Sequence, residues 1–162
     1  MKKSVLLLFF AGCVATGIFG IGRKIPMNRV NDLGQREGYW RDSVGGGFVY
    51  DLYYKGGKKD GLYKRFYRNK LFLFGEYTAD NISGTWYMFG DEGELRCTID
   101  SIEFNKDSIY TGYPCCRIFC KYKCHSIDYY PSGAVKSEGY MVCDEEFEIE
   151  IWEIGEWKYY DE

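Results

Sequence analysis

The chain has 162 residues, of which 19% are aromatic, with 20 glycines and only 3 prolines. That is one domain's length, large enough for a core and too aromatic for a disordered chain. A formal net charge of −3 excludes a generally basic nucleic-acid-binding chain.

Residues 1–22 form a separate element. Lys2 and Lys3 precede an apolar run from Val5 to Ile21. A basic start followed by an apolar stretch is the pattern of an export signal. Three outcomes fit: a cut after Ala15-Thr16-Gly17, lipidation at Cys13 within "FAGC", or retention as a short membrane anchor. A buried first helix fits the basic start less well. The expected location is the cell envelope or beyond it.

From residue 36 onward the composition predicts an all-β domain, because aromatics favour strands and glycine serves tight turns. Gly38, Gly61 and Gly84 are spaced 23 residues apart, each with an aromatic two places on: Trp40, Tyr63 and Trp86. The same spacing relates Tyr54 to Tyr77 and Phe66 to Phe89. A period of this length marks a repeat array, and here it accommodates one β-hairpin. The glycines are expected where the chain reverses, with "GGKKDG" and "ADNISG" as turn phrases. The aromatic two places after each glycine and the one five places after cannot share a face of a regular strand. Either a bulge intervenes or both faces carry aromatics.

Lys55, Lys58, Lys59, Lys64, Arg65, Arg68 and Lys70 crowd this region, whereas residues 144–162 are strongly acidic. The chain is thus polarised in charge. One reading is solvated strand faces. The other is a basic patch for an acidic partner or a phospholipid surface.

Residues 100–125 read as an irregular, cysteine-rich insertion. "YPCCRIFCKYKCH" holds Cys115, Cys116, Cys120, Cys124 and His125. Paired Cys-x2-Cys knuckles are absent, so disulfides that also involve Cys97 and Cys143 are expected in preference to zinc. Free buried thiols are the alternative in a reducing compartment. His125 is the only histidine, and nothing in the sequence assembles a nucleophile and base around it. Gly45-Gly46-Gly47 lacks the Lys-Ser/Thr of a phosphate loop, and no cofactor is expected.

Residues 129–140 and 155–162 repeat the phrases of residues 66–77 and 61–68. Between them, Phe147, Ile149 and Ile151 alternate with Glu146, Glu148 and Glu150, the pattern of a half-buried strand.

The combined phrase resembles the MORN-repeat variant found in many bacterial proteins. It is carried by Gly61, Tyr63, Phe66, Gly75, Tyr77, Gly84, Trp86, Phe89, Gly93 and Leu95, and again by Tyr129, Tyr130, Gly133, Val135, Gly139, Tyr140, Gly155, Trp157 and Tyr160. The resemblance implies an extended, twisted antiparallel sheet of stacked hairpins over residues 36–162, with no catalytic residue set. After Leu95 the register departs, since Thr98 and Asp100 stand where the next Gly and Tyr would fall. Some bacterial members are antitoxin-type proteins, and the repeat elsewhere is associated with scaffolding and membrane phospholipids.

The expected function is a non-enzymatic protein-binding or scaffold module, exported or membrane-anchored. A cytoplasmic antitoxin-type protein that neutralises a toxin by binding is the alternative. The partner is another protein, with a membrane surface second and nucleic acid excluded. Trp40, Tyr63, Trp86 and Trp157 read either as the sheet's own core or, together with Lys64, Arg65 and Arg68, as an exposed aromatic and basic face.

Overall fold

A computed structural model of the chain describes residues 26–106, 109–110, 117–118, 120–144 and 152–162. Among these the chain is all-β, an open ten-stranded antiparallel sheet without a helix. The strands are β1 (Arg29–Val30), β2 (Arg36–Val44), β3 (Phe48–Lys55), β4 (Lys58–Tyr67), β5 (Lys70–Thr78), β6 (Asn81–Phe89), β7 (Leu95–Phe104), β10 (Tyr122–Tyr129), β11 (Val135–Cys143) and β12 (Trp152–Tyr159). They lie side by side in chain order. The short β8 (Ile109–Tyr110) and β9 (Arg117–Ile118) pair with each other apart from the main sheet. The N-terminal apolar segment, Cys13, Cys115 and Cys116 lie outside the described residues.

The turns fall in two rows, and the 23-residue period reappears in their backbone geometry. Gly34, Gly57 and Asp80 have φ of 73°, 83° and 70°. Successive hairpins are also tied at their rims. Gly57 N–H donates to Arg36 O at 3.0 Å, and one period later Asp80 N–H donates to Lys59 O at 2.9 Å. On the opposite row, Arg68 N–H donates to Gly47 O and Lys70 Nζ to Asp91 O.

Gly38, Gly61 and Gly84 lie elsewhere than expected. They sit inside β2, β4 and β6, all with positive φ. Gly61 and Gly84 fall where the ladder slips, between Leu52 and Tyr54 on β3 and between Phe74 and Glu76 on β5. The glycine therefore makes a bulge rather than a chain reversal. The bulge swings the following aromatic over the neighbouring strand. Gly84-Thr85-Trp86 bulges opposite Gly75, and Gly155-Glu156-Trp157 opposite Gly139. Each indole lies where the opposing glycine's side chain would be. Each indole N–H is satisfied, Trp86 by Ser83 O at 3.1 Å and Trp157 by Tyr140 O at 2.9 Å.

The register also slips between Arg65 and Phe66 and between Met88 and Phe89. The extra residue of each slip is on the partner strand, Phe72 of β5 and Arg96 of β7, so β4 and β6 run unbroken between the aromatic at the second place and the one at the fifth. Both faces carry aromatics. One face holds the core: Leu52, Tyr63, Leu73, Tyr77, Ile82, Trp86, Ile99, Tyr122 and Met141. Tyr63 packs on Trp86 at 5.4 Å and edge-on to Tyr77 at 5.6 Å. Each such ring contributes about 2–3 kcal/mol by burial. The other face carries Tyr39–Tyr53 and Phe74–Tyr87.

Both ends of the segment read as irregular belong to the main sheet. β7 continues to Phe104, and β10 opens at Tyr122 against it. The ladder needs only main-chain groups, so it persists where the side-chain repeat lapses.

Candidate functional site

The dipeptides Tyr39-Trp40 and Tyr53-Tyr54 place one aromatic on each face of the sheet. Trp40 and Tyr54 meet edge-on on the core face. Tyr39 and Tyr53 are register partners on the outer face, their rings 5.5 Å apart. Tyr53 and the adjoining Leu62 are each 41% exposed. With Tyr39, Asp51 and Lys64 they wall an open hollow of about 320 Å³. A second hollow of about 410 Å³, lined by Arg29, Asp32 and Glu37 among others, shares the Tyr39–Tyr53 wall.

A bidentate ion pair stiffens this surface. Arg41 Nε and Nη2 donate to the two Asp51 carboxylate oxygens at 2.7 and 2.9 Å. The pair raises the Arg41 pKa. Burial, and then Asp51, raises that of the Tyr39 hydroxyl. The surface is thus apolar rings around a fixed, internally neutralised charge pair, which suits contact better than proton transfer.

The core face carries a groove of about 490 Å³, lined by Phe72, Met88, Ile99, Met141, Glu153 and Trp157 among others. Cys97 lies in it, 3.2 Å from Ser126 Oγ. Burial pushes the Cys97 thiol up to about 12, so it is no nucleophile near neutrality.

The residues singled out in the sequence divide between the faces. Tyr63 and Trp86 are 1% and 0% exposed, which makes them core rather than an exposed ladder. Trp40 and Trp157 are half-buried on the same face. Arg65 is 8% exposed, its guanidinium 4.5 Å from the centre of the Phe48 ring and within 5.5 Å of Tyr50 and Phe72. It belongs to the core as well, not to a basic patch. Lys64 lines the outer hollow, and Arg68 stands exposed at a turn against Tyr67. The sequence reading missed Tyr39, Tyr53 and Leu62. The signal was present in the two aromatic dipeptides, one member of which must face outward.

Cys97, Cys120, Cys124 and Cys143 are free buried thiols, contrary to the expected disulfides. Cys124 and Cys143 come to 3.4 Å across β10 and β11, well beyond the roughly 2.05 Å of a bond. Their position is diagonal, since Cys124 is level with Met141 and Cys143 with Tyr122. Contact with Cys124, and then burial, raises the Cys143 pKa. Cys124 and His125 are neighbours in one strand and point to opposite faces, so they do not converge on one ion. No cluster of three His, Cys, Asp or Glu suited to a metal occurs among the described residues. His125 Nδ1 lies 3.5 Å from Asp100, whose carboxylate also accepts from Ser101 Oγ at 3.0 Å. Ser101 thus engages the carboxylate, not the imidazole. No helix among the described residues is long and apolar enough to cross a membrane.

Comparison with family profiles, curated proteins and solved structures yields no match.

Proposed function

We propose that the chain is a non-enzymatic binding module of MORN-like hairpin repeats, exported or held at a membrane by its N-terminal segment, and that its partner is another protein. The exposed Tyr39–Tyr53–Leu62 hollow carries this reading. Aromatic side chains with few rotatable bonds are good anchors at protein interfaces, and the polar rim of Asp51 and Lys64 resembles that of a contact patch. The basic start and apolar run of residues 1–22 support export.

The test places a photo-crosslinking amino acid at Tyr53 in the full chain, in the cells that make it. A discrete protein adduct from the envelope fraction, lost on adding Leu62→Asp, supports the reading. Absence of any adduct at Tyr53, or an adduct indifferent to Leu62→Asp, overturns it.

A further inference from the structure

The two edges of the sheet are treated differently. At the β2 edge, β1 covers Arg36 and Glu37. Beyond β1 the Asn28 side chain continues the ladder in place of a strand. Its Oδ1 accepts from Arg41 N–H at 2.8 Å, its Nδ2 donates to Arg41 O at 3.1 Å, and its own N–H donates to Tyr39 O at 3.0 Å. That edge is capped. At the other edge, no strand lies outside β12 among the described residues. A row of main-chain donors and acceptors there has no ladder partner among the described residues.

The charge on β12 selects what fits it. Glu153 accepts from the Tyr159 hydroxyl at 3.0 Å but, like Glu156, forms no ion pair among the described residues, and Asp161 and Glu162 follow the strand. Its one cation, Lys158, is held by Glu138 at 2.9 Å. Two copies joined through β12 would set carboxylates against carboxylates, which is unfavourable in cross-strand positions. Joining β12 to the opposite edge of another copy is blocked by Asn28 and β1. The acidic excess on and after β12 therefore favours a different chain, extended and basic.

We propose that the free edge of β12 receives an extended, Lys- or Arg-bearing segment of a partner protein by strand addition, with pairing to its outward main-chain groups on either side of the Gly155–Trp157 bulge. Main-chain bonds supply affinity, and the acidic side chains select the partner's charge. This rests on the binding-module reading but uses a surface distinct from the Tyr53 hollow.

The test uses the full chain and three capped seven-residue peptides: one alternating Lys with Val, one alternating Glu with Val, and the Lys peptide N-methylated along one edge. Fluorescence anisotropy at low salt reads binding, and amide hydrogen exchange reads the site. The Lys peptide is expected to bind at least about tenfold tighter than the Glu peptide. N-methylation should abolish binding, Glu153→Gln with Glu156→Gln should weaken it about tenfold, and the outward-facing amides of β12, Tyr159 among them, should gain protection, whereas Tyr160 N–H already bonds Lys136 O. Equal binding of the Lys and Glu peptides, full binding of the N-methylated peptide, or protection elsewhere than β12 overturns the inference. So does absence of binding, or a β12-mediated dimer by sedimentation. A Tyr53 adduct alongside any of these results leaves the binding-module reading standing.

Discussion

Gly75 lies directly beneath the indole of Trp86, and a methyl group at its Cα would overlap ring atoms Cδ2, Cε2 and Cε3. The relationship is repeated by Gly139 and Trp157, where the methyl carbon would stand 2.5 Å from Cδ2. In each case one strand gives up its side chain so that the bulged tryptophan of the next can lie flat.

Gly75→Ala is accordingly expected to cost about 3 kcal/mol in urea denaturation, because Trp86 is fully buried and has nowhere to move. Trp86→Ala leaves a cavity and should cost about 4 kcal/mol. In the Trp86→Ala background, Gly75→Ala should cost almost nothing, since the overlap is gone. Equal costs of Gly75→Ala in both backgrounds would show that the glycine serves some other purpose. Gly139→Ala should cost less, about 1 kcal/mol, because Trp157 is half exposed and can yield.

Ala79 holds φ of 49° at the β5–β6 turn, in the left-handed region. Ala79→Gly is expected to stabilise the protein by about 1 kcal/mol, seen as a rise in Tm. Its counterpart one period earlier is Gly56, with φ of 56°. Gly56→Ala should lose a similar amount. Opposite signs at these equivalent positions are the signature of turn geometry rather than of local packing.

Cys97 couples stability to alkaline pH. Its thiol is pushed from 9.0 to about 12 by burial, so the unfolded chain ionises first. The contribution is complete below pH 9 and is lost as pH rises toward 12. Chemical denaturation across that range should show a fall in stability that Cys97→Ala reduces, leaving the slope due to Cys143 and the tyrosines. At pH 8 the folded thiol should resist iodoacetamide and react on unfolding. Fast labelling of the folded protein would contradict the burial.

The pairing of β11 with β12 is expected to weaken at acid pH. Lys158, and then Tyr160, hold the Glu138 carboxyl below its ordinary 4.5. The folded form therefore gains from ionisation above pH 4.5, and the gain disappears as pH falls through the lowered value. Amide exchange in β12 should quicken as the pH drops through that window. Lys158→Ala should flatten the dependence. Because these groups are exposed, the effect should also shrink with added salt.

The period was legible in the sequence because glycine and aromatic spacing survive in the fold as spacing of dihedrals and rings. Gly57 and Asp80 share a turn conformation although only one is glycine, since aspartate tolerates the left-handed region. The role of Gly61 and Gly84 was harder to read. A glycine with positive φ serves a reversal or a bulge equally well, and only the ladder shows which. The surface was harder still. Each bulge shifts the alternation of faces, so counting in twos assigns Tyr63 and Arg65 to no definite side. The unused signal was the doubled aromatic, Tyr39-Trp40 and Tyr53-Tyr54.

The rim bonds from Gly57 to Arg36 and from Asp80 to Lys59 join each hairpin to the one before it and to nothing farther away. A strip connected only to its predecessors has no seam to close, so its length is a free variable. A duplicated stretch from Gly61 to Ser83 would insert a further unit without displacing an existing bond outside the splice. A barrel cannot be lengthened in this way without redrawing its circumference. This chain contains a rule for its own growth, and changes in repeat number are open to it as a route of descent.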